Sequence, residues 1–239
     1  MFRFYFLRII KDYIGHIILI GLPVVLISLM VMINQEASEA PNVSEMALFI
    51  GIIYIIMFQG FGAAYTFEGI EFDFFKPFKD RLKAAPVNPM MFVFMNILFS
   101  ILISFMQSLF LLVFVVTVYG SVISNVIGVL FVLFLGVLLA QLLAAVCVLV
   151  FKKASKAQAF ITLYIIASMV VAGFFFPLPK SSLTVFLSKY SSPLAWTHYA
   201  VYGFLNDRFN EALFGISLLL GVIIILSFLT YRLSKKVAR

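Results

Sequence analysis

Six long apolar runs constrain this chain more than anything else in it. They are Gly15–Ile33, Met46–Thr66, Met90–Val118, Val126–Val150, Ala159–Phe176 and Ala212–Tyr231, and none carries a formal charge. About 20 apolar residues in a helix cross the ~30 Å hydrocarbon core of a bilayer. Overall the chain is 64% hydrophobic and 11% charged, and no soluble domain can hide that much apolar surface. The expected fold is an all-α polytopic membrane protein with six transmembrane helices in one membrane domain, residues 1–239. The third and fourth runs exceed the bilayer and should tilt or project. Pro23 should kink the first. The QGFGAA segment, Gln59 to Ala64, offers small residues where another helix can come close.

The net charge is +7, which could suggest nucleic acid, but the positions of the cations argue for membrane topology instead. With the N-terminus inside and six spans, fourteen of the 17 Lys and Arg fall inside, and only Lys180, Lys189 and Arg208 fall outside. That asymmetry places both termini in the cytoplasm. Residues 1–14, with Arg3, Arg8 and Lys11 among aromatic residues, read as a helix lying in the inner interface. They do not read as a cleavable signal, because the following run is of span length with no small-residue cleavage site before Asn34.

Two polar interruptions stand out. Phe67–Pro89 holds eight of the 27 formal charges and is expected in water as a loop between the second and third spans. Within it Pro77 can open a short helix. Phe78 and Leu82 then share one face with Lys79, Asp80 and Lys83 around the rest, and Ala85 before Pro86 ends the element. Such a helix suits pressing on another protein; a solvated loop with its Phe residues on the membrane surface is the alternative. The second interruption is 177–211. Ser192–Pro193 is a strong helix start, but LAWTHYAVYGFL is too short to cross. Trp196, Tyr199 and Tyr202 favour the interface. One or two short helices dipping into the outer leaflet and returning are expected, their backbone covered by protein.

The spans lack an intramembrane charge of the kind kept for ion or proton pathways, which argues against an ion-coupled carrier or a voltage sensor. Gln59, Asn96, Gln107 and Gln141 could line a path, although such residues more often join helices. His16 and His198 read as separate interfacial residues. Cys147, the one cysteine, reads as a small core residue. There is no phosphate loop, nucleophile elbow, metal spacing or internal repeat. The chain is not expected to be an enzyme or to bind a metal or cofactor.

Six spans, an amphipathic N-terminal helix, a charged first cytoplasmic loop and a reentrant segment before the last span together resemble the ABC-2 type membrane subunits of ABC exporters. Asp73, Asp80, Leu82 and Pro86–Val87–Asn88 stand where that family has acidic residues, leucine and a Pro-Val-Ser-like turn around its coupling helix. Pro77–Phe78 replaces the family's frequent Gly-Thr. Gly173, Phe174, Phe175, Phe176, Pro177, Pro179 and Pro193 resemble the family's exit from the fifth span. The resemblance implies a permease half in a bacterial cytoplasmic membrane. Its partners would be a dimer of a separate cytoplasmic ABC ATPase holding ATP and Mg, a second permease copy or paralogue, and lipid. Asp73, Pro77, Phe78, Asp80, Leu82 and Pro86 would couple to the ATPase. Gly173, Phe176, Pro177, Pro193 and Trp196 would form an outer reentrant gate. The charge-free, Phe-rich spans suit an amphipathic or apolar cargo such as a drug, antimicrobial peptide or lipid-like molecule. Two other classes stay open: a carrier or channel working without an ATPase, and an anchor or sensor subunit that moves nothing.

Overall fold

The computed structural model describes residues 12–37, 42–76, 88–174, 179 and 181–238, with backbone alone at 37, 89 and 238. Among these residues there are helices and no strands: α1 (Tyr13–Ala37), α2 (Val43–Phe61), α3 (Ala64–Phe75), α4 (Pro89–Tyr119), α5 (Val126–Phe151), α6 (Ala154–Val171), α7 (Ser182–Tyr190), α8 (Pro193–Leu205) and α9 (Phe209–Ala238). Six segments are long and apolar enough to cross a membrane, with α2 and α3 together forming one of them.

α5 is apolar on every side except at Gln141 and Cys147, and a helix of that kind belongs in the interior. It packs against α2, α3, α4, α6, α8 and α9. α1 lies on α2 and α4, while α6 lies on α2, α3 and α5, so these two flank the α2–α3 pair. α9 packs mainly on α4, α5 and α8. In lipid there is no hydrophobic gain in joining two apolar helices, so close contact must supply the attraction. The QGFGAA segment serves that purpose. A Cβ at Gly60 would sit 2.5 Å from Ile165 Cδ1 of α6, and one at Gly62 would sit 2.8 Å from Ser104 Oγ of α4.

Helix starts follow local chemistry. Asn88 accepts the Met90 N–H at 3.0 Å, Asn125 the Gly128 N–H at 2.9 Å, and Ser192 the Ala195 N–H at 3.2 Å with Pro193 in the first turn. Each satisfies a donor that the helix itself cannot.

Several expectations need correction. The second span does not give way to a water-borne loop at Phe67. After a short turn at Gly62–Ala63, α3 carries the helix through Phe75. Phe67, Ile70 and Phe74 fall three and four residues apart and are all buried, and Asp73 is 0% exposed. The charges of this stretch concealed an apolar helical face, so only the part beyond Phe75 remains for a loop. Tyr13 and Ile14 already belong to the first long helix, and residues 1–11 of the expected interfacial helix lie outside the described residues. α6 begins five residues before the expected Ala159 and ends at Val171, not Phe176. The stop is Gly173, whose φ of 77° is costly for any other residue. The Gly173 N–H reaches Val170 O and the Phe174 N–H reaches Met169 O, a Schellman ending. The basic tail after Tyr231 is not a separate segment, because α9 continues through it to Ala238. The described part of 177–211 contains two short helices, α7 and α8, of which α8 is covered by α2, α5, α6 and α9. Pro23 lies inside an unbroken α1.

Candidate functional site

The polar side chains of α4 recur every four residues: Asn96, Ser100, Ser104 and Ser108, with Gln107 beside the last. That spacing keeps them on one face, and all are buried. The face meets α2, α3 and α5 in a ladder of hydrogen bonds. Gln59 Nε2 donates to Ser108 Oγ at 3.1 Å and to Leu133 O at 3.2 Å. Gln141 Nε2 donates to Ser104 Oγ at 2.9 Å, and its oxygen accepts from Thr66 Oγ1 at 2.7 Å. Gln107 Nε2 donates to the Tyr65 hydroxyl at 3.3 Å. His16 Nδ1 lies 2.7 Å from that hydroxyl and 3.2 Å from Gln107 Nε2. Of this stripe, Ser100 Oγ alone is buried with no partner among the described residues.

Hydrocarbon offers no water to satisfy such groups, so they satisfy one another. Each interhelical bond contributes about 0.6 kcal/mol on average, and together they fix the register of α1 through α5. Gln59, Asn96, Gln107 and Gln141 are all buried, and Gln59 also lines a small apolar hollow with Gly136, Tyr164 and Thr197. Among the described residues no group of three or more His, Cys, Asp and Glu could hold a metal.

The ladder ends in a charged junction at the foot of α3. Asn96 Nδ2 donates to Asp73 Oδ2 at 2.6 Å and to Phe92 O at 3.0 Å. Two residues before Asp73, Glu71 Oε1 accepts the Ala154 N–H at 3.1 Å, and Oε2 lies 3.2 Å from Lys76 Nζ. The Ala154 N–H opens α6, where a negative charge is favoured by the helix dipole. The last turn of α3 is therefore tied to α4 by one carboxylate and to α6 by another. A groove of about 510 Å³ runs between α1 and α6 across α2–α3, with Leu22, Phe58 and Phe61 in its walls and Glu68 and Gln158 also lining it. Beside it, a more polar cleft of about 610 Å³ holds Asp12, Glu68, Glu71, Lys76 and Lys153.

At the other end of the molecule, Trp196 Nε1 donates to Tyr190 O at 3.1 Å. His198 is enclosed by Phe49, Phe174 and Tyr202, with ring centroids 5.4, 4.6 and 4.7 Å away, and its Nε2 has no partner among the described residues. It is partly buried among these rings.

Of the expected site residues, the structure sets Gln59, Asn96, Gln107, Gln141 and Asp73 along the buried polar face of α4, in separate hydrogen-bonded groups. Gly173, Pro193 and Trp196 stand apart from it at the ends of α6 and α8. Pro77, Phe78, Asp80, Leu82, Pro86, Phe176 and Pro177 lie outside the described residues. Sequence reasoning missed His16, Tyr65, Thr66, Glu71 and the serines of α4. The fourfold spacing of those serines was the available signal.

A family model described as "ABC-2 family transporter protein" matches residues 33–232. No curated protein matches the chain.

Proposed function

Because this chain belongs to the ABC-2 family of transporter proteins, we propose that it is the permease half of an ATP-driven exporter. The family is one of multi-pass membrane translocation components that work with an ATPase subunit, and not of enzymes. The finer reading assigns hydrolysis, with its ATP and Mg, to a cytoplasmic ABC ATPase dimer. It sets both termini of this chain on the ATPase side of a bacterial cytoplasmic membrane.

The observation that carries this reading is the junction at the foot of α3. The helix continues the second span down to Phe75 and stops next to the segment containing Pro77, Phe78, Asp80, Leu82 and Pro86. Its last turn is tied to α4 through Asp73 and to α6 through Glu71. A displacement of that segment by a closing ATPase would pass into three spans at once. The groove between α1 and α6 supports the second half of the reading. A second permease copy or a paralogue laid across it would enclose a mostly apolar passage, suited to an amphipathic or apolar cargo. Gly173, Phe176, Pro177, Pro193 and Trp196 would form its outer gate. Gln59, Gln107 and Gln141 hold the walls in register instead of touching cargo.

The test is Phe78→Ala combined with Leu82→Ala. Burying each side chain in an ATPase cleft is worth about 1.5–3 kcal/mol, whereas an exposed ion pair from Lys79 adds about 0–1 kcal/mol. The double variant should insert normally and lose co-purification of the ATPase, or hydrolyse ATP without transport. Lys79→Ala should do far less. Normal ATPase binding and transport by the double variant would remove the coupling assignment.

A further inference from the structure

A second groove, of about 360 Å³, lies on the other side of the bundle between α4, α5 and α9. Its walls are Val93, Ile97, Ile101, Leu138, Leu142 and Tyr231. Three observations say what fills it. First, length: along α4 it runs from Met90 to Ile101, which at 1.5 Å per residue is about 16 Å. That is close to half of the ~30 Å core, the depth of one leaflet. Second, polarity within the wall: Ser227, Thr230 and Ser234 recur three and four residues apart along α9 and all line the groove. The Thr230 side chain is 6% exposed, and its Oγ1 has no partner among the described residues. A hydroxyl left so in hydrocarbon is costly unless something accepts its proton. Third, charge: Tyr231 also lines a neighbouring hollow of about 460 Å³ with Arg232, Lys235 and Lys236. The apolar groove and the basic hollow share a wall.

We propose that this groove is a binding site for an anionic phospholipid of the leaflet at the Met90 and Ser234 end. One acyl chain lies along Val93, Ile97 and Ile101. The glycerol ester oxygens meet the Thr230 and Ser234 level, and the phosphate sits in the basic hollow beside Lys235. Basic pockets beside membrane helices select anionic headgroups for this electrostatic reason. The site adjoins the first turn of α4, so a bound lipid steadies α4 against α9.

The experiment uses the full chain purified from vesicles of phosphatidylglycerol and phosphatidylcholine in equal amounts, with retained lipid identified by native mass spectrometry. Wild type should keep one lipid per chain, with phosphatidylglycerol favoured by about tenfold, of the order expected from one or two surface cations. Ile97→Trp, which fills the groove, should lose that lipid. Lys235→Gln with Lys236→Gln should keep a lipid but bring the headgroup preference near parity. No preference in wild type, or an unchanged lipid in Ile97→Trp, means bulk lipid only and overturns the proposal. If Ile97→Trp does not fold, the exposed lysine variant decides: an unchanged preference overturns the site.

Discussion

Asp73 and Asn96 permit a quantitative test of how the foot of α3 is held. Both are essentially fully buried, and the Asn96 amide donates to the carboxylate at 2.6 Å. A hydrogen bond to a charged group contributes about 1.5–3 kcal/mol net, and removing one partner of a buried pair costs more than replacing both. Asn96→Leu takes the amide from a buried carboxylate and should cost about 2–3 kcal/mol. Asp73→Leu leaves the Asn96 amide still donating to Phe92 O, and its own cost includes whatever else the carboxylate holds. Once Asp73 is leucine, the further change Asn96→Leu should cost at most about 1 kcal/mol. The interaction energy from the cycle would then be about 2 kcal/mol, far beyond the scatter expected of independent sites. The assay is unfolding of the purified protein in mixed micelles by titration with dodecyl sulfate, followed by helical circular dichroism. Additive costs, with Asn96→Leu as harmful in the Asp73→Leu background as in wild type, would refute the claim that these two groups hold each other.

Gly203→Ala should destabilise by about 1–3 kcal/mol through overpacking, because its Cβ would meet the Ala212 backbone nitrogen at 2.5 Å. Gly221→Ala, with nothing within 4 Å, should be neutral or stabilise by up to about 1 kcal/mol; equal effects in the same unfolding assay would contradict the packing of α8 on α9. For orientation, a cysteine replacing Ser181 should react with an impermeant thiol reagent on intact cells, and one replacing Lys236 only after permeabilisation. The reverse pattern would invert the topology. For the outer helices, Trp196 fluorescence should be quenched best by shallow lipid-borne quenchers, and strongest quenching from bilayer-centre probes would place α8 deeper than a reentrant segment.

The six spans were legible because hydropathy over about 20 residues needs no knowledge of partners. What escaped was decided by partners. Glu68, Glu71 and Asp73 made Phe67–Phe75 look aqueous, yet Asp73 finds Asn96 twenty-three positions on, and Glu71 finds the start of α6 eighty-three positions on. No local pattern carries either pairing. The end of α6 was misplaced because three phenylalanines after Gly173 are as apolar as any span, while the backbone turn at that glycine is decided by φ, not by hydropathy. His16 and His198 looked interfacial from their nearness to run ends. The structure gives one a tyrosine and a glutamine, and the other an aromatic enclosure. For the site, the ladder could have been found from the serine spacing of α4, but its rungs on α2, α3 and α5 could not.

The uniform apolarity of α5 leaves it no preferred azimuth. A helix that is equally greasy all round can enter the bilayer unaided, but it gains nothing from one rotation about its axis over another. Its angular setting must come from single features that act as keys. Gln141 is one, since only one rotation brings it to both Thr66 and Ser104. Gly136 is another, where a Cβ would strike Gln59 Oε1, and Gly128 is a third, where a Cβ would strike the Phe204 ring. These keys lie on the helix that touches most of the bundle. The angular setting of α5 therefore depends on one amide and two missing methyl groups.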